Sequence, residues 1–310
     1  MLIATEDVVY GMDEAGEHEP QPVYHRGHVR RVEQGQNEIV VAREDNLIIV
    51  LRGSRSNRIE TGIEGSIHSL LLLEEDPLHL LIGTEPPHVY RLREESVERI
   101  ESFDELECRE DWYTPWGGPA AVRSMARTDD GWAYADIHVG SIMRSPDEGA
   151  TWEPVTPELH VDVHQVATCP ADDDRVYAQT ADAFWISYDR GDSWTHRAED
   201  LDERYGRCVT VHPEDPDLVL CTVSDGPHGD NVHGQLYRSE DAGRNWSHVA
   251  DGFPGSTVDN IDTFHVEFSP HGQAWAAVGH TLYVGRNRAR EWEPFWDAPE
   301  PITMLSCHRQ

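Results

Sequence analysis

All 25 basic residues of this 310-residue chain are arginines, set against 58 acidic ones, so a place where arginines gather calls for a reason. Three runs end alike, in Thr-Cys-Pro (Pro170), Val-His-Pro (Pro213) and Phe-Ser-Pro (Pro270). Counting back from each proline by six gives His164, Arg207 and Phe264; extending that register by strand pattern adds Arg30, His68, Arg123 and Thr303. Two places earlier stand Asp162, Tyr205, Asp262 and His28. Arginines and histidines held at one depth away from water are costly unless an anion compensates them. Two readings are open. Asp162 and Asp262 neutralise the ring internally, as salt bridges between elements. Alternatively the ring takes an external anion, the planar forks of arginine matching carboxylate, sulfate or phosphate oxygens.

The segment 109–119, REDWYTPWGGP, leads into Arg123 and offers Trp112 and Trp116, with Tyr113, to stack on a ligand or to close the opening. His88, His138, His160, His228 and His233 fall in loops of the same end. A metal needs several converging ligands; the available set is dispersed (His28, His164 and Asp162), no Cys-x-x-Cys pair exists, and no cofactor is expected. If the site is catalytic, Tyr205, Asp262 or Asp162 supplies the nucleophile or base.

The elements that must position these residues repeat. SPDEGATW, SYDRGDSW and SEDAGRNW share Ser-x-Asp-x-Gly-x-[Ser/Thr/Asn]-Trp, and GRNRAREW keeps only the tryptophan, Trp292. The shared positions are Ser145, Asp147, Gly149 and Trp152; Ser187, Asp189, Gly191 and Trp194; Ser239, Asp241, Gly243 and Trp246. Aspartate accepts turn amides, glycine permits a positive φ, and tryptophan buries its ring between sheets. These positions are expected to be structural. The pattern resembles the Asp-box, or BNR, repeat of sialidase-like β-propellers and of photosystem assembly-factor-like proteins. The resemblance implies an all-β propeller of four-stranded blades, with the Asp-boxes on the face away from the ligand. Sialidases carry an arginine triad for a carboxylate, which here would fall on Arg30, Arg123 and Arg207. Their early Arg-Ile-Pro motif is absent, and they have six blades.

Strand order fills in the count. Four β-rich runs recur from VHQVATC to SWTHR, from GRCVTVHP to NWSHV, and from IDTFHVEFSP to REWEPF. Three earlier units keep that order without the motif. PITMLSC remains as an orphan first strand, and LIAT, VVYGM and PVYHRG lack one, so both ends of the chain close a seventh blade. Residues 1–310 thus form one domain; a count of six remains open if the N-terminal units are misread.

The net charge of −33 reads as a surface adapted to concentrated salt, where screening is nearly complete. It argues against nucleic acid and anionic membrane as partners. The first residues lack a basic n-region and a long apolar stretch, and no run approaches a membrane span. Five cysteines without paired spacing suggest a reducing cytoplasm. The function classes left are a scaffold binding an anionic small molecule or partner group, a glycosidase-like hydrolase of an anionic carbohydrate, and a protein-interaction platform.

Overall fold

The computed structural model describes residues 1–13 and 16–308. Runs of Val, Ile, Leu and Ala pair antiparallel in seven separate sheets of four strands, each following chain order from the inside outwards. The sheets are the blades of a single β-propeller. Blade 1 is the exception to simple order: its innermost strand is Met304–Ser306, paired with Leu2–Ala4 through Leu2↔Ser306, Ile3↔Leu305 and Ala4↔Met304. That pairing removes the open edges a ring of sheets would otherwise present. Blades 2 to 7 begin with the inner strands Val29–Gln34, Ser66–Glu75, Val122–Arg127, Val163–Cys169, Tyr205–His212 and Val266–Phe268.

Alternation along each strand gives every sheet two apolar faces, and each face packs against the next blade. The buried side chains accordingly fall into seven clusters, one for each junction. Between blades 2 and 3 the cluster is aliphatic, with Ile48, Ile59, Ile67, Leu80 and Leu92. From blade 4 onward a tryptophan joins each: Trp152 with Leu81 and Phe103, Trp194 with Val155, Trp246 with Phe184, and Trp292 with Phe253.

Those tryptophans end the Ser-x-Asp-x-Gly-x-x-Trp turns, whose serine, aspartate and glycine make the same set of bonds in all three intact copies. In the first, Asp147 Oδ1 accepts from Ser145 Oγ and Thr151 N at 2.8 Å each, Oδ2 accepts from Thr151 Oγ1, and Gly149 N donates to Ser145 Oγ. Asp189 and Asp241 repeat the set with Ser193 and Asn245. The residue before each glycine is left-handed as well, at φ 56, 60 and 57 for Glu148, Arg190 and Ala242. Glycine follows because its φ is 82 to 93 in the three intact copies, at Gly149, Gly191 and Gly243, and because a Cβ on Gly149 would meet Leu81 at 2.7 Å. The degenerate copy reaches the same shape differently. Asn287, Arg288 and Ala289 are all left-handed, and Trp292 Nε1 donates to Ala289 O at 3.0 Å. These turns join the third and fourth strands, so they lie on the face opposite the starts of the inner strands.

Candidate functional site

At the face away from the turns, the inner strands share one irregularity. Each of five ladders carries an extra residue at the same level: Arg30, His68, Arg123, His164, and one within Arg207–Cys208. A β-bulge bends its strand and re-aims a side chain, so the register counted from the prolines corresponds to a repeated bulge around the channel mouth. Amides displaced from the ladder find side chains instead. Ser124 N donates to Asp136 Oδ1 at 2.6 Å and Cys208 N to Thr222 Oγ1 at 2.9 Å. Across blades, Ser124 Oγ accepts from Val166 N, and Gln165 Oε1 from Val209 N. Asp136 is fully buried behind Arg123, and burial pushes its carboxyl up to about 7 against the pull of Ser124 and Arg123.

The sixth inner strand breaks the pattern. Strand pairing in blade 7 starts only at Val266, not at Ile261 as its sequence suggests. Residues 262–265 instead turn across the mouth. Thr263 Oγ1 reaches the carbonyls of His164 and Arg207, each at 3.2 Å, and Phe264 is left-handed at φ 65. Such a backbone is strained for an aromatic residue and persists only where its surroundings hold it; here Leu305 N donates to Phe264 O at 2.8 Å.

A cavity of about 510 Å³ opens beside this turn, lined among others by Arg31, Glu85, Trp116, Arg123, His138 and His265. Arg31 Nε donates to His68 O and its guanidinium stands 5.9 Å from the Phe264 ring. Burial, then the charges of Arg30 and Arg123, hold Arg31 down to about 10. Burial also lowers Arg123, whose Nη1 is buried without a hydrogen-bond partner among the described residues. Neither arginine has a carboxylate within 4.0 Å among the described residues, whereas Arg207 Nε stands 3.0 Å from Asp262 Oδ1 and Arg30 3.8 Å from Glu44. Arg207 thus has a carboxylate in ion-pair contact, whereas Arg123 feels Asp136 and Asp162 only from beyond 4.0 Å.

Histidines fill the rest of the wall. His68 Nε2 lies 3.1 Å from Glu85 and 3.3 Å from Arg30; burial and Arg31 push it down to about 3. Asp162 Oδ1 faces two imidazoles, His164 Nε2 at 3.2 Å and His138 Nε2 at 3.8 Å. Burial opposes charge on Asp162, yet His164 and His138 hold it below the usual carboxylate range. Burial and Arg123 push His138 down to about 4. Tyr205 packs 4.8 Å from His164 and under Arg207 at 5.3 Å; burial raises its hydroxyl, so it is a poor base at neutral pH.

Other expected residues are placed elsewhere. Trp112 does not join the cavity wall; it packs at 5.7 Å from Phe103 in the junction of blades 3 and 4, beneath Arg109. Trp116 is 73% exposed and stands 4.8 Å from His138 at the rim. His28 is paired with Glu6 and Asp7 at 3.3 and 3.4 Å, so the set His28, His164 and Asp162 is not assembled. His160, four residues before His164, uses Nδ1 to accept the Asp162 amide. Among the described residues no group of three or more His, Cys, Asp or Glu is placed to hold a metal ion. Arg31, Glu85, Thr263 and His265 were missed by the register; the paired arginines of HVRRVEQ were the signal for Arg31, since a bulge brings its neighbour to the same opening.

Comparison with known proteins bears on the fold. The profile of the family described as "Sortilin, neurotensin receptor 3" matches residues 140–249. An oligoxyloglucan-reducing end-specific xyloglucanase of Emericella nidulans is 25% identical over 190 residues, 54% of this chain but 22% of the relative. The chain therefore spans about a fifth of that protein's length. The xyloglucanase of glycoside hydrolase family 74 from Xanthomonas campestris superposes with a TM-score of 0.71 at 14% identity, over 96% of this chain and 52% of that one. YCF48 from Cyanidioschyzon merolae gives 0.64 at 14% identity, over 88% and 86%. At such identities the likeness is one of architecture: this chain is a seven-bladed β-propeller of the kind seen in YCF48 and in the xyloglucanases.

Proposed function

We propose that the chain is a binding scaffold whose bulged mouth takes an anionic small molecule or an anionic group of a partner. The carrying observation is that Arg31 and Arg123 face a cavity of about 510 Å³ with no carboxylate within 4.0 Å among the described residues, in a chain with more than two acids for every base. His68 and His138, kept neutral by burial and then by neighbouring arginines, act as hydrogen-bonding walls, and Trp116 covers the rim. A structure titled "YCF48 bound to D1 peptide" shares the fold, which supports a partner group as one form of ligand. The glycosidase-like reading is weaker because the carboxylates lining the cavity, Glu85 and Asp262, are spent on His68 and Arg207. The three intact turns support membership of the Asp-box propellers. Five cysteines without a disulfide among the described residues support a reducing compartment. The acidic balance supports concentrated salt; a melting temperature flat between about 0.1 and 2 M salt would count against that part.

The test is calorimetry with sulfate, phosphate and sugar acids. Arg123→Gln should weaken the anion that binds by about 1.5–3 kcal/mol, the scale of a charged hydrogen bond. Stability should fall only modestly, because Arg123 has no carboxylate in direct contact among the described residues and its charge acts on the buried Asp136 from beyond 4.0 Å. Absence of anion binding in the unmodified protein, with a large loss of stability in the variant, would refute the reading.

A further inference from the structure

The protonation of the wall follows from which atoms face each other. His164 is fully buried and its Nδ1 contacts the Gly206 carbonyl. A carbonyl only accepts, so Nδ1 carries hydrogen. Its Nε2 stands 3.2 Å from Asp162 Oδ1. Neither atom completes a hydrogen bond among the described residues, and burial lowers the His164 imidazole, so the buried ring stays neutral and Asp162 keeps its charge. His138 presents Nε2 to the same oxygen from 3.8 Å, and it lines the cavity that the pair does not. The groups facing His138 are Asp162, which favours its charging, and His164, Arg123 and Arg207, which oppose it, with His68 beyond and Trp116 against its ring. Burial and then the charge of Arg123 keep His138 neutral.

We infer that the mouth takes up an anion and a proton together, the proton settling on His138 between the bound anion and Asp162. This rests on the proposed anion site and adds its regulation. Burial and then the charge of Arg123 keep the imidazole uncharged; an anion between Arg31, Arg123 and His138 offsets that charge, while the Asp162 carboxylate 3.8 Å away favours the new cation. The other histidines are committed: His68 Nε2 lies between Glu85 and Arg30, and His265 Nε2 donates to Thr303 O at 3.1 Å. The balance is one anion and one proton in, both released together. Affinity then rises as pH falls, because His138 starts below its ordinary value and is raised by the ligand.

Sulfate is the probe, since its own charge is constant over the range. Calorimetry in buffers of different ionisation enthalpy should read about one proton taken up per sulfate near pH 5.5 and none by about pH 8, with affinity changing by up to about tenfold per pH unit. His138→Gln should abolish the uptake and flatten the pH slope. Should that variant fold poorly, the imidazole resonances of the unmodified protein serve instead: sulfate should shift the titration of one histidine upward. Sulfate binding with no proton uptake, or uptake that survives His138→Gln, overturns the coupling and leaves the anion site standing. No sulfate binding at any pH overturns both.

Discussion

Blades 2 and 3 hold their outer edges by strand pairing, whereas blades 4 to 6 hold theirs by a turn. In blade 2 the outermost strand Arg55–Glu60 pairs over its whole length, and in blade 3 Ser96–Arg99 does the same, each after a two-residue hairpin. In blades 4, 5 and 6 the outermost strands are Glu153–Pro154, Thr195–His196 and Ser247–His248, two residues apiece. What the ladder loses there, the aspartate-centred turn and its tryptophan supply. One aspartate collects a backbone amide, a serine hydroxyl and the side chain of a Thr, Ser or Asn, and one ring fills the corner against the preceding blade. Two physical routes thus reach the same blade shape, one spread over many backbone bonds and one concentrated in a few side chains. The concentrated route should be the more fragile to single substitutions.

The largest effect belongs to neither route. Ending the chain at Pro299 removes Met304–Ser306, the inner strand of blade 1, and exposes apolar faces of its neighbours. Loss of cooperative melting is expected; a soluble fragment with a normal melt would show that closure is dispensable. Next comes Trp246→Ala, which empties the corner beside Phe184 and should cost about 3–5 kcal/mol in denaturant unfolding. A cost below about 1 kcal/mol would mean that the ring is not the anchor.

The aspartates come third. Asp189→Ala removes acceptors for Ser187, Ser193 N and Ser193 Oγ and should cost about 1–2 kcal/mol, discounted for its exposure. Acid tests the same bonds without mutation. Burial works against charge on Asp147, Asp189 and Asp241, but the turn hydrogen bonds win and hold all three below the ordinary value. A lowered folded pKa contributes stability above the unfolded value of about 3.9, lost as pH falls through the folded one. Replacing all three by Asn should therefore make stability less steep below about pH 4; an unchanged acid profile would sever the turns from acid sensitivity. The smallest effect is a gain. Glu94 sits at φ 55 in the hairpin of blade 3, and Glu94→Gly should stabilise by about 0.5–1 kcal/mol by relieving a left-handed backbone. A lower melting temperature would mean that its side chain is needed.

The seven blades and their closure were legible because the signals were local and repeated: alternation in each strand, an orphan strand at one end, and one turn written three times. The level of His164 and Arg207 was legible from their constant spacing to the following proline, and that of Arg30, His68 and Arg123 from strand pattern, because all five bulges lie at one depth. The turn across the mouth was not. Ile261–Phe268 looks like a strand, and what bends it is the reach of Thr263 to carbonyls of two other blades. No neighbouring residue announces that. Trp112 misled for a related reason: a ring in a loop reads as exposed, while the Phe103 side chain of the previous blade receives it. Whether an arginine is paired is likewise invisible in sequence, so Arg123 and Arg207 looked equivalent until Asp262 was seen beside only one of them.

The strand shared between the two ends of the chain has a consequence for how the molecule comes apart. In a row of stacked repeats the terminal units have one neighbour each, so melting frays inward from them. Here Met304–Ser306 gives blade 1 a neighbour on both sides, and every blade has two. Opening any one of them forfeits two junctions at once, wherever it lies. Loss is therefore pooled around the circle, and a weak blade is carried by its neighbours until all of them let go.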